Sequence, residues 1–139
     1  MKIFLIGPMG SGKSKIGKIL SSELDKDLFD LDKEIEKDLN LSINEIFKLK
    51  GEAYFRSIET KYLKKSLELK DCIVSTGGGI VESEENLNLL KNEKYVIFLN
   101  SKVESQFENT KGSDKRPLLN LSNPKEILQK LYDKRIDKY

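Results

Sequence analysis

A chain of 139 residues, 37 % hydrophobic and 35 % charged, has room for one globular core and is expected to form a single domain over 1–139. Its formal net charge of +2 gives no strong field for nucleic acid or membrane, and no apolar stretch is long enough to span a bilayer or act as a signal peptide. The single cysteine, Cys72, and the lack of histidine exclude internal disulfides, Cys/His zinc sites and histidine triads, leaving a cytoplasmic protein that works with carboxylates, Lys, Arg and a metal.

The chain begins with a short apolar run, Lys2 to Ile6, of the kind a buried parallel strand needs. Directly after it, Gly7-Pro8-Met9-Gly10-Ser11-Gly12-Lys13-Ser14 fits G-x-x-x-x-G-K-[ST], the phosphate-binding loop. Glycines let successive backbone N–H groups turn inward as an anion nest, and the following helix aims its partly positive N-terminus at the same point. Lys13 can reach the β- and γ-phosphates, and the Ser14 hydroxyl can ligate Mg²⁺. Ile16, Ile19, Leu20 and Leu24 then recur at helical spacing. Strand, glycine loop and helix together predict binding of a nucleoside triphosphate.

Leu28 to Leu31 predicts a short strand with Asp30 and Asp32 at its carboxyl end, on the same side of an extended segment. Ligands of open parallel sheets lie beyond the carboxyl ends of the strands, so two carboxylates there suit a metal shell and a hydroxyl-binding or base role. An Asp-rich turn capping a helix that starts near Lys33 is the alternative. Ser42-Ile43-Asn44-Glu45 has capping-box spacing before an amphipathic helix of Ile43, Ile46, Phe47 and Leu49, closed by Gly51. A further helix from about 52 to 69 turns Phe55, Ile58, Tyr62 and Leu63 inward, with Arg56 and Glu59 one turn apart.

Asp71 to Ser75 predicts another strand, and Thr76-Gly77-Gly78-Gly79 at its carboxyl end exposes backbone to a ligand. Ser83 caps a helix containing Leu87, Leu89 and Leu90, and 95–99 is the clearest remaining strand. The polar stretch from Asn109 to Pro117, with Lys115 and Arg116, predicts a basic lid over phosphates. Asn123-Pro124 opens a last helix with Ile127, Leu128, Leu131 and Tyr132 inward and Arg135 near its end. Of the 25 basic residues only Arg56, Arg116 and Arg135 are Arg. Lys serves wherever charge suffices, whereas a planar fork for carboxylate or phosphate needs Arg, so these three are site candidates. Codon usage that makes Arg rare is the bland alternative.

These pieces resemble the shikimate kinases. The matching stretches are GPMGSGKS at 7–14, FDLDKEIE at 29–36, SINEIF at 42–47, GEAYFRSIE at 51–59, STGGG at 75–79, KRPLL at 115–119 and KRIDKY at 134–139. The resemblance implies a three-layer α-β-α P-loop fold whose parallel sheet has the family order 2-3-1-4-5. It implies Mg-ATP-dependent phosphorylation of the shikimate 3-hydroxyl in aromatic amino-acid (chorismate) biosynthesis. Gly10, Ser11, Gly12, Lys13 and Ser14 would bind the ATP phosphates, and Ser14 with Asp30 would hold Mg²⁺, Asp30 through water. Lys13, Asp32 and Arg116 would form the catalytic set, with Asp32 binding the ring hydroxyls and acting as base. Arg56 and Arg135 would grip the shikimate carboxylate beside Gly78 and Gly79, and Glu59 would orient Arg56. The helices over about 33–62 would bind substrate, and the lid would cover about 109–117. ATP and shikimate are the expected partners of a monomer that binds neither nucleic acid nor membrane.

Two departures from the family pattern stand out. Asn109 occupies the position where the family often stacks an Arg on adenine. The family's fifth strand, adenine-contacting loop and final helix have no counterpart before Tyr139, so order 2-3-1-4 is expected, with strand 95–99 at an edge. Two alternatives remain: a related small-molecule kinase such as a gluconate kinase, and a non-catalytic or disabled nucleotide- or shikimate-binding homologue.

Overall fold

Every second residue of the first strand points to the same side, and this alternation divides the molecule into layers. The computed structural model describes residues 1–110 and 124–139. Strand β1 (Lys2–Ile6) lies inside a four-stranded parallel sheet with β2 (Asp27–Asp30), β3 (Cys72–Ser75) and β4 (Val96–Phe98), in the order β2-β3-β1-β4. This is the expected order. Phe4 and Ile6 face a larger core with Leu31, Ile35, Ile46, Leu63 and Val74. Ile3 and Leu5 face the other side, where Ile73 joins them and Ile16, Leu20 and Leu28 pack against the cluster. Apolar contact on both faces explains why the strand reads as a continuous hydrophobic run.

Helices cover the two faces. On the smaller core lies α1 (Lys13–Leu24). The larger core is built by α2 (Leu31–Leu39), α3 (Ile43–Lys50) and α4 (Glu52–Leu67), together with a 3₁₀ turn (Ile80–Glu82) and α5 (Glu84–Lys91). Beyond β4 come α6 (Val103–Thr110) and, among the described residues, α7 (Pro124–Arg135). The expected lid beyond its first residues, with Lys115 and Arg116, and the cap Asn123 lie outside the described residues. None of the described helices is long and apolar enough to cross a membrane.

Local chemistry sets several boundaries as the sequence predicts. Ser42 Oγ accepts from the Glu45 amide at 3.1 Å while Glu45 Oε1 accepts from the Ser42 amide at 3.2 Å, a complete capping box for α3. Ser83 Oγ accepts from the Asn86 amide and starts α5.

Three expectations need correction. Asp32 is not part of an extended segment, because α2 starts at Leu31, one residue after β2 ends. Asp30 is the helix cap, its Oδ1 accepting from the Lys33 amide at 3.3 Å, which places Asp32 in the first helical turn. Ile19 and Leu24 of α1 are exposed, since the face on the sheet is centred on Gly17. A Cβ at Gly17 would lie 2.9 Å from Leu28 Cδ1, so a bare α-carbon sets how closely α1 approaches. Leu49 is likewise exposed, at the far end of α3 from the buried Ile43 and Ile46.

The strand register decides where a ligand can bind. Leu5 lies opposite both Ser75 and Ile97, and Asp30 lies opposite Ser75. The carboxyl ends of all four strands therefore reach one edge, where the residues after β1, β2 and β3 converge. Thr76 secures that edge by bonding to the Leu5 carbonyl through its hydroxyl, at 2.7 Å, and its amide, at 3.2 Å. Leu63 on α4 is fully buried against this scaffold. Leu63→Ala is expected to lower unfolding free energy by about 3 kcal/mol, read from urea denaturation; a loss under ~1 kcal/mol would mean that the core closes around the deletion.

Candidate active site

The loop between β1 and α1 is shaped by glycine. Gly10 has φ +75°, and a Cβ there would come within 2.6 Å of the Gln106 carbonyl oxygen on α6. No other residue fits that position without moving one of the two backbones. Lys13, at the start of α1, folds its ammonium back over the loop. Its Nζ donates to the carbonyls of Gly7 at 2.6 Å and Pro8 at 2.8 Å, and the side chain is buried. Ser14 Oγ donates to Asp30 Oδ2 at 2.8 Å, joining the loop to the end of β2. From α6, Asn109 Nδ2 donates to the Gly10 carbonyl at 2.6 Å. Asn109 thus bonds to the loop backbone and also lines the site cavity.

A second cluster of charge faces the same space. Arg56 on α4 donates through Nη1 to Glu59 Oε1 at 3.1 Å and pairs with Glu52 at 3.4 Å. The Gly77–Gly79 turn packs directly on this cluster. A Cβ on Gly79 would fall 2.2 Å from Arg56 Nη1, and one on Gly77 would sit 2.9 Å from Glu59 Oε2 and 3.2 Å from Asp32 Oδ1. The glycines after β3 therefore let backbone lie against a guanidinium and two carboxylates, a contact that side chains would block. Arg135, near the end of α7, is buried at the edge of this group and bonds through Nε to Glu82 Oε1 at 2.7 Å.

Burial and neighbours set the charges here. Dehydration pushes the Glu59 carboxyl up to about 7; nearby Asp32 adds to the shift, and Arg56 and Arg135 oppose it. Burial also works against the charge on Arg56, but Glu59 and Glu52 outweigh it and hold the guanidinium protonated. Glu59 Oε2 and Arg56 Nε are buried without a hydrogen-bond partner. Polar atoms left this way inside a protein are uncommon and mark a site built for something else to bind.

The two clusters share one cavity of about 560 Å³, within the usual range for a small-molecule site. Gly10, Ser11, Gly12, Lys13 and Ser14 line it, with Asp30 and Asp32, Arg56 and Arg135, and Gly78 and Gly79. Every sequence-predicted site residue except Arg116, which lies outside the described residues, is therefore brought together. Phe47 and Phe55, with ring centroids 5.0 Å apart, add an apolar wall that the sequence shows only as inward-facing helix positions. Glu82 and Tyr139 also contact site residues; Glu82 has no local sequence signal, and Tyr139 stands in the sequence only as the last residue of KRIDKY. Glu82 is 53 positions from Arg135, and Tyr139, whose hydroxyl donates to the Gly78 carbonyl, is 61 positions from it.

A parallel sheet with a phosphate loop after an inner strand, opening into a cavity shared with an arginine–carboxylate cluster, defines a P-loop small-molecule kinase. The family model for shikimate kinase matches residues 9–139. The shikimate kinase of Persephonella marina is 45 % identical over 133 residues, covering 96 % of this chain and 80 % of the relative. That of Aquifex aeolicus is 42 % identical, covering 97 % of this chain and 79 % of the relative. The solved structure of shikimate kinase from Acinetobacter baumannii in complex with shikimate superposes with a TM-score of 0.97 at 36 % identity, covering 99 % of this chain and 77 % of that one. The chain belongs to the shikimate kinase family. A deoxyadenosine kinase from M. mycoides, 20 % identical with a TM-score of 0.60 and matched over 99 % of this chain and 85 % of its own, shares the fold.

The raised Glu59 carboxyl has a consequence for stability. Its proton is bound more tightly in the folded chain, so this contribution is fully present below the ordinary value of 4.5 and is lost as pH rises through about 7. Glu59→Gln is expected to remove that slope, giving a smaller fall in Tm between pH 5 and 8 than the parent shows. Parallel Tm curves for the two proteins would mean that Glu59 is not buried as a strained carboxylate.

Proposed function

We propose that the chain is one kinase domain over 1–139 that transfers the γ-phosphoryl group of ATP to the 3-hydroxyl of shikimate. One observation carries the reading: a phosphate loop and a two-arginine pocket walled by glycine backbone share a single cavity. A nucleotide and a small carboxylic acid can therefore meet without bulk water between them. The shikimate held by the Acinetobacter relative supports the choice of acceptor. The chain's near-balanced charge supports small-molecule partners over nucleic acid or membrane.

Phosphoryl transfer needs positioning and charge neutralisation more than covalent help. The loop amides and Lys13 bind the ATP phosphates, the ammonium exchanging its carbonyl partners for phosphate oxygens. Ser14 and Asp30 offer adjacent hydroxyl and carboxylate oxygens, a hard-donor set that fits Mg²⁺ together with substrate phosphates. Bound there, the ion would neutralise charge on the β- and γ-oxygens. Arg56 and Arg135 hold the acceptor carboxylate, for which a planar fork is suited. Asp32, held in the first turn of α2 beside Gly77, binds ring hydroxyls and accepts the proton of the attacking one. The helices over about 33–62 form the acceptor side. Arg116 on the lid, assigned from the sequence alone, completes the catalytic set.

Shikimate-dependent ADP release with Mg-ATP tests the activity. Lys13→Ala is expected to lower that rate by roughly 10²-fold or more, the scale for loss of a charge-stabilising donor in a dry site. Equal rates in both proteins, or ADP release that ignores shikimate, would refute the assignment. Arg56→Lys is expected to raise the shikimate KM by about 30-fold with the ATP KM nearly unchanged, the loss expected for a charged hydrogen bond. An unaltered shikimate KM would remove Arg56 from the acceptor site.

A further inference from the structure

Arg135 holds a buried position at the end of α7. It sits in the last turn of that helix with only 3 % of its surface exposed, and a buried guanidinium needs a counter-charge and acceptors to keep one orientation. Glu82 supplies both. It is the last residue of the 3₁₀ turn that follows the glycines after β3, and its Oε1 accepts from Arg135 Nε at 2.7 Å. Its Oε2 pairs with Lys134 Nζ at 3.0 Å. Each carboxylate oxygen therefore holds one of two consecutive cations. Nε is committed to Glu82, the Tyr139 hydroxyl bonds to the same guanidinium, and Arg135 so held lines the cavity.

We propose that Glu82 is a positioning residue for the acceptor site, holding Arg135 in the orientation that receives the acceptor's carboxylate. The inference rests on the assignment of Arg135 to that carboxylate. A second contact joins the same two elements: Tyr139, one turn beyond Arg135, donates its hydroxyl to the Gly78 carbonyl and stacks on Phe98 at 5.2 Å. The glycine turn and the end of α7 are thus fastened on either side of Arg135. The ionic character of the Glu82 contact fits this role, since burial raises its carboxyl but Arg135 and Lys134 outweigh burial and bring it down to about 2. Paired in this way, Glu82 acts as a fixed counter-charge. Its effect passes through Arg135.

The test is steady-state kinetics on Glu82→Leu, Glu82→Gln, Arg135→Ala and the Glu82→Leu/Arg135→Ala double variant. Glu82→Leu is expected to raise the shikimate KM by about 10-fold with the ATP KM within ~2-fold of the parent, the loss expected when a hydrogen-bonded charge loses its partner. Glu82→Gln keeps a neutral acceptor for Nε and should recover most of that loss. In the Arg135→Ala background Glu82→Leu should add nothing, because the two act as a unit. An unchanged shikimate KM in Glu82→Leu, beside a raised one in Arg135→Ala, would overturn the proposal and leave the carboxylate site standing. Multiplicative effects in the double variant would also overturn it. An Arg135→Ala enzyme with the parent's shikimate KM would instead overturn the assignment of Arg135, and the proposal with it. Should Glu82→Leu fail to fold, Glu82→Ala takes its place: the same rise in shikimate KM is expected, and a shikimate KM equal to the parent's would overturn the proposal.

Discussion

The register of β1 between its neighbours is the constraint on which the site depends. Leu5 faces Ser75 on one side and Ile97 on the other, so the three strands finish level. Shifting β1 by one residue would carry Phe4 and Leu5 to the wrong cores and withdraw the phosphate loop from the glycine turn after β3. The two bonds from Thr76 to the Leu5 carbonyl lie at the point where such a slip would start. Apolar alternation sets the register, and the functional groups at the strand ends inherit their spacing from it.

Charge at the site is stored in pairs. Lys13 rests on loop carbonyls, Arg56 on Glu59 and Glu52, and Arg135 on Glu82. A cavity this rich in cations would repel itself if they were left alone, and each pairing also limits how far its side chain can swing. Glu59 and Glu82 show two outcomes of the same device. Glu59 is dehydrated beside a second carboxylate and is driven up, whereas Glu82 takes two cations at once and is driven down.

Much of this was legible in the sequence, and the physical reason differs from part to part. The phosphate loop could be read because its chemistry is local: a few consecutive residues carry the nest, the ammonium and the hydroxyl. Apolar runs alternating with helical patterns pointed to parallel strands and helices, whereas the three layers and the strand order came from the resemblance to the shikimate kinases. Asp32 was harder, since an Asp that ends a strand and an Asp that caps a helix look alike until the first helical residue is fixed. The outward position of Ile19 was illegible for another reason. A glycine in the helix moved the contact face, and hydrophobic spacing gives no weight to a missing side chain. Glu82 was invisible because its partner Arg135 is 53 positions away and no motif announces it, and Tyr139 was legible only as the end of KRIDKY, not as a contact of Gly78, 61 positions away.

The contact between Gly10 and α6 has a mechanical side. There is no clearance for even a methyl group between the loop and the Gln106 backbone, and Asn109 bolts the same helix to the Gly10 carbonyl. Loop and helix are therefore packed backbone against backbone. A side chain at position 10 would press on α6 as well as on the cradle, so one glycine sets the spacing of both.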